Sequence, residues 1–315
     1  MLVLTGTSGQ LGGGVLQTIL EKNLIRPSEL IISAYNTEAV PANAKAAGIE
    51  VRHGNYEKPE TLASSFKGAD TLFLVSYPSV GEERYVHHKA AIDAAIAAGI
   101  THIIYTSLTF GGKSGEESIA GVMQAHINTV KYLKSTGLHY TIVREGIYAE
   151  IWNIFAGFVQ LDDSKDDIDI VVPGVGEMIW ASRDELGEAT AIIVANKDQY
   201  KNQSILLSGP RVTTVPEIAL LLQGYTGRKV NVKIVSDQEA IEYHTAHNSL
   251  PPSQHWVFES WATWFRAMDQ GEVNTVDPIM EKLLGRKPRG IQEMMDELFI
   301  PNQAMETTDF DYYAK

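Results

Sequence analysis

The chain of 315 residues contains no cysteine. Disulfides, thiolate nucleophiles and cysteine-bound zinc are excluded, and a cytoplasmic setting is expected. No apolar run approaches the roughly eighteen residues of a membrane span. Positive charge is scarce: 26 Lys and Arg stand against 39 Asp and Glu, a formal net charge of -13. That balance argues against non-specific binding to nucleic acid or to an anionic membrane. The one short basic cluster, Lys282, Arg286, Lys287 and Arg289, reads as a solvated helix end. The chain opens directly on an apolar stretch, so no signal peptide is expected. A metal is not expected either. The acidic run 162–167 lacks the spacing of a calcium loop. His87 and His88 point to different faces of one helix, and His244 with His247 lacks a third ligand; surface positions suit that pair.

What is present is concentrated at the start. An apolar run at 1–5 meets Gly6-Thr7-Ser8-Gly9-Gln10-Leu11-Gly12, and residues 13–20 read as a helix. A strand, a glycine turn and a helix in that order form the first unit of a dinucleotide-binding fold. Gly6 suits the tight turn, Gly9 a close approach to pyrophosphate, and Gly12 close packing of helix on sheet. The open amides of the helix start would face the phosphates. The spacing is G-x-x-G-x-x-G rather than G-x-G-x-x-G, so position carries as much weight as the glycines.

Strand signals follow at 30–34, 49–53, 71–75, 101–106 and 140–144. Helical segments lie between them at 37–47, 59–66, 82–98 and 119–135. Six strands separated by helices predict an α/β Rossmann fold, a doubly wound parallel sheet with right-handed crossovers. Beyond Gly146 the pattern loosens. Helices are expected at 185–195, 215–222, 237–246, 253–268, 277–284 and 291–298, strands at 204–208 and 230–235, and a frayed tail at 307–315. The predicted organisation is a dinucleotide-binding domain over 1–150, with 184–208 packing back onto it. A smaller, mostly helical substrate region covers 151–315.

With these elements placed, the chain resembles the NmrA-like family of atypical short-chain dehydrogenase/reductases, most closely its quinone oxidoreductase type and fungal relatives. The resemblance runs over about 1–240 and rests on several stretches: 5–12, 47–52 with Gly54-Asn55-Tyr56, Tyr105-Thr106-Ser107-Leu108, His126-Ile127-Asn128-Thr129 and 140–150. It implies NADP(H), with NAD(H) as the alternative, bound across the sheet's C-terminal edge. Thr7, Ser8, Gly9, Gln10 and Leu11 would cradle the pyrophosphate. Asn55 would sit by the adenine, and Ser76 and Tyr77 near the nicotinamide ribose. Ser107 and Tyr148 would flank the nicotinamide or the substrate.

Three departures stand out. Where NADPH-dependent relatives often place Arg near the end of the second strand, this chain has Tyr35, Asn36 and Thr37, and no acidic residue that would mark NAD. Asn36 and Thr37 can donate to a phosphate and Tyr35 can stack on adenine, without matching a guanidinium fork. The Tyr-x-x-x-Lys pair of short-chain dehydrogenases is missing: Ile127 stands four residues before Lys131. Glu145 follows Arg144 where Asn or Pro is usual.

His126 occupies the position of the catalytic Lys in isoflavone-reductase-like relatives, and would donate a proton as hydride arrives. The bland alternative is a helix His that packs locally. A quinone-like acceptor lowers the demand on any acid, because its reduced oxygen is a stabilised phenolate. Aromatic residues gather after 150. Trp152 and Phe155 are expected in a pocket for a planar substrate, and Trp261, Trp264 and Phe265 in the core. Two readings follow. One is a reductase of a quinone, enone or imine, with secondary metabolism as one setting. The other is a non-catalytic nucleotide sensor acting on a protein partner. Homodimerisation stays open.

Overall fold

The structure is a computed structural model, and it describes residues 1–79, 81–164 and 166–303. The expected frayed tail at 307–315 lies outside the described residues.

In chain order the strands are β1 (Leu2–Leu4), β2 (Leu30–Ala34), β3 (Glu50–His53), β4 (Thr71–Leu74), β5 (His102–Leu108), β6 (His139–Glu145), β7 (Ile147–Tyr148), β8 (Ile168–Val172), β9 (Met178–Ala181), β10 (Gln203–Leu207), β11 (Val212–Thr213) and β12 (Val230–Ile234). The helices are α1 (Gln10–Glu21), α2 (Ala42–Ala46), α3 (Leu62–Phe66), α4 (Glu82–Ala97), α5 (Gly121–Ser135), α6 (Trp152–Phe155), α7 (Arg183–Ala195), α8 (Val215–Thr226), α9 (Asp237–Ala246), α10 (Val257–Asp269), α11 (Ile279–Leu284) and α12 (Met295–Leu298).

The main sheet has seven parallel strands in the order β3-β2-β1-β4-β5-β6-β10. The chain runs outward from β1 to one edge, then returns to β4 on its other side. That reversal opens a crevice at the carboxyl ends of β1 and β4. Six strands were expected in this sheet; the seventh, β10, pairs with β6 from Gln203↔Thr141 to Leu207↔Glu145. Strands β1, β2 and β4 are buried along their whole length, as strands covered on both faces must be. One face packs on α1 and α7, the other on α3, α4 and α5.

The rest of the chain builds a third apolar cluster. Helix α10 buries Val257, Phe258, Trp261, Trp264, Phe265 and Met268, a stripe at helical spacing. It packs beside α5 and α9 and reaches Phe155 and Phe158. Two small sheets complete this part: β11-β9-β7 and β12-β8. Among the described residues no helix is long and apolar enough to cross a membrane. Within the basic cluster, Arg286 pairs with Glu185 and Glu188, and Arg289 with Glu185 and Glu297.

Candidate active site

A cavity of about 720 Å³ follows the crevice. Its polar part begins at the turn after β1. Gly6 has φ +66°, a region that favours glycine, and a Cβ there would come within 2.8 Å of Val75. A Cβ on Gly12 would lie 2.3 Å from the Gly6 carbonyl, so α1 sits on the turn only because Gly12 lacks one. No side chain caps α1 at Gly9, and the first helix-spanning bond runs from Gly13 N–H to the Gly9 carbonyl. The Gly9 amide turns back to the Gly6 carbonyl at 3.0 Å, and the residues of this helix start line the cavity. Thr7 Oγ1 is buried there without a partner. An uncapped helix start, a glycine cradle and an orphaned hydroxyl together fit a diphosphate.

From the turn the lining continues through Ser33, Ala34, Tyr35, Gly54, Asn55, Tyr56 and Glu57 on one side, and Val75, Ser76 and Tyr77 on the other. Tyr35 is 62% exposed, an open face for stacking. Tyr77 donates its hydroxyl proton to Glu57 at 2.9 Å, and its ring lies 4.4 Å from that of His87. The cavity ends in an apolar wall of Leu108, Phe110, Val122, Ile151, Ile154, Phe155 and Trp264.

The NmrA-like family model matches residues 1–295, nearly the whole chain. The chain belongs to the NmrA-like family. It is 28% identical to an NmrA-like family domain-containing oxidoreductase, flvB, of Aspergillus flavus, over 99% of both chains. Among solved structures, the NADPH complex of an NADPH-dependent quinone oxidoreductase of Escherichia coli superposes with a TM-score of 0.81 at 25% identity, covering 95% of this chain and 100% of that one. A triphenylmethane reductase of Citrobacter sp., complexed with NADP(H), gives 0.79 at 28% identity over the same shares.

Within this NmrA-like chain, the cavity brings together Gly6 to Gly12, Tyr35, Asn55, Ser76, Tyr77, His126 and Tyr148. It does not include Asn36 or Ser107. The Asn36 side chain accepts from the Glu38 amide and caps a short 3-10 turn at 37–39, where a longer helix was expected. Ser107 is 1% exposed and its Oγ has no partner, but it stands outside the cavity lining. Tyr148 lies under the Arg183 guanidinium, 4.8 Å from the ring centre.

His126 does not have the surroundings of a proton donor. It is fully buried, and Arg84 Nη1 donates to its Nε2 at 2.6 Å. A guanidinium only donates, so Nε2 is the acceptor and the ring proton sits on Nδ1, directed at the Tyr105 hydroxyl at 2.7 Å. Burial first, then the charge of Arg84, pushes the imidazole well below its ordinary range. It is neutral at pH 7. His88 is held the same way. Its Nε2 accepts from the Tyr77 amide at 2.7 Å, which leaves Nδ1 to donate to Thr129 Oγ1 at 3.0 Å. Burial lowers it too.

Several residues here were not expected. Arg84 is 7% exposed and lines the cavity. It reads as part of a charged first turn, yet it falls four residues before His88 on the buried stripe of α4, a spacing that would have found it. Glu145 also lines the cavity and is 1% exposed. One carboxyl oxygen accepts from Thr190 at 3.0 Å; the other has no partner, and burial pushes the group up to about 8. Trp264, expected in the core, is cavity wall. Trp152, expected in the pocket, is core: its indole N–H donates to the Leu298 carbonyl and its ring meets Phe299. His244 is 1% exposed rather than on the surface, bonded to Ser249 and the Val171 carbonyl.

Proposed function

We propose that this chain is an NAD(P)H-dependent oxidoreductase that passes hydride to a planar, conjugated small molecule of the quinone or enone type. NADPH is the reductant expected first and NADH the alternative. One observation carries the reading: a single cavity joins an uncapped, glycine-lined helix start to an aromatic wall. A cavity of about 720 Å³ lies within the usual range for a cofactor or ligand site. The relatives named above support the same chemistry.

When bound, the dinucleotide supplies the hydride. The chain's own residues do the rest. Thr7 and the first amides of α1 hold the diphosphate, Asn55 and Tyr35 border the adenine half, and Ser76, Tyr77 and Tyr148 border the nicotinamide half. Phe155 and Trp264 press on a flat acceptor and keep water away from it. No Tyr-x-x-x-Lys pair stands ready with a proton, which suits an acceptor whose reduced oxygen is a stable anion and disfavours a simple ketone.

The test mixes the purified chain with NADPH or NADH, follows cofactor fluorescence, then adds a panel of quinones and follows loss of the reduced-nicotinamide absorbance. Consumption with at least one quinone is expected. Tight binding with no consumption for any acceptor would replace the reductase with a nucleotide sensor.

A further inference from the structure

A buried polar group left without a partner is destabilising, and a ligand that bonds it removes the penalty. Two such atoms belong to residues lining the acceptor end of the cavity: Glu145 Oε2 and Trp264 Nε1. Glu145 closes β6 and stands in register with Leu108 of the apolar wall. Ile147 and Phe155 line the same end and are buried too, so this part of the cavity is screened from bulk water. The two groups share a further property: each offers a proton and lacks an acceptor. An indole N–H only donates. The carboxyl is neutral at pH 7, because burial pushes it up to about 8. Its Oε1 accepts from Thr190 Oγ1 at 3.0 Å, so the acidic proton sits on Oε2. Among the described residues, burial and that bond are the two influences on it. Its strand neighbours, Leu108 on β5 and Leu207 on β10, are apolar. The charged groups of the packed elements are engaged elsewhere. Arg144, beside it on β6, holds the loop after β5; on α7, Arg183 lies over the Tyr148 ring and Glu185 pairs with Arg286 and Arg289. Across the cavity, Arg84 and His126 are bonded to each other.

On the function proposed above, we infer that Glu145 is a catalytic residue: its Oε2–H donates to the carbonyl oxygen of the acceptor and passes its proton there as hydride arrives. The acceptor gains a hydrogen with its bonding pair from the dihydronicotinamide, which is oxidised. The electron pair displaced within the acceptor's π system settles on its oxygen and takes the proton from Oε2, so one O–H bond breaks and another forms. Glu145 is left as a carboxylate and recovers a proton from water when product leaves. The sum is one hydride from the dinucleotide and one proton from solvent, and a quinone becomes a hydroquinone. A carboxyl of this strength is still protonated at neutral pH, yet is a stronger acid than the phenol it forms, which like tyrosine titrates near roughly 10. The inference narrows the substrate class. With two unsatisfied donors at this end, the acceptor brings oxygen lone pairs. Quinones and enones have them; an iminium has none.

The test reads the carboxyl directly. Infrared difference spectra of the full chain with oxidised NADP show the carbonyl band of a protonated carboxyl that is missing in E145Q and fades as pH rises through about 8. The band moves when 1,4-naphthoquinone is added, under conditions where no turnover is possible. In steady state, E145Q keeps NADPH binding by fluorescence while quinone kcat falls about a hundredfold. Native kcat declines above about pH 8, and that decline is lost in E145Q. A missing band, a band that quinone does not move, or an E145Q variant with kcat or the high-pH decline intact overturns the inference. So does loss of NADPH binding in a folded E145Q, which would make Glu145 a cofactor ligand instead. Should no quinone oxidise NADPH in the native protein, the proposed function fails separately, and the infrared band still decides whether Glu145 donates to a carbonyl.

Discussion

At the scale of single residues, protonation states follow from what each group can donate. His126 faces a donor-only guanidinium, so it is an acceptor there whatever its sequence position suggests. H126A therefore leaves any pH-dependent limb of turnover between pH 6 and 8 in place, and so does H126Q, whose amide oxygen can still accept from Arg84. A pH–rate profile of both variants checks this; a limb that vanishes in H126A would return the proton to the histidine. Glu145 titrates at about 8 against an ordinary 4.5, because burial disfavours its charged form. Between those values the folded chain holds a proton that the unfolded chain has lost. Stability therefore falls as pH rises through that window, by up to about 1.4 kcal/mol per pH unit. Denaturant melts of the native chain and E145Q across pH 5 to 9 should diverge, with E145Q gaining on the native chain as pH rises.

Among elements, the glycine turn and the parallel strands were legible because their signals are local. Three glycines at fixed spacing after a buried strand announce their own geometry, and strands covered on both faces read as apolar runs. The small strands β7, β9 and β11 were not legible. They are two to four residues long, and only partners distant in sequence make them strands, as Val212↔Ile179 shows. Strand β8 is longer but pairs across about sixty residues with β12. Half of the site shares that fate. Phe110 reaches the cavity because Arg144 gathers the loop after β5, donating to the carbonyls of Thr109, Phe110, Gly112 and Lys113. Gly115 makes room for it, since a Cβ there would lie 2.5 Å from Arg144 Nε. Replacing Arg144 by Met strands those carbonyls and should cost about 2–4 kcal/mol. It should also raise quinone KM more than NADPH Kd, as paired denaturation and kinetic measurements would register. Equal effects on both would mean the loop does not shape the acceptor end.

Over the whole molecule, the two large layers meet at one crevice. The main sheet supplies the glycine turn at the polar end, and the chain beyond β6 returns to place Phe155 and Trp264 at the apolar end. Function then rests on whether that crevice takes a dinucleotide. Gly12 is the lever, because a methyl group there would overlap the Gly6 carbonyl and push α1 off the turn. The most direct measurement is calorimetric titration of the native chain and G12A with NADPH and NADH. Saturable binding of a reduced dinucleotide by the native chain, with affinity lost in a still-folded G12A, is the predicted result. No heat from either dinucleotide, or equal affinity in G12A, would contradict the account.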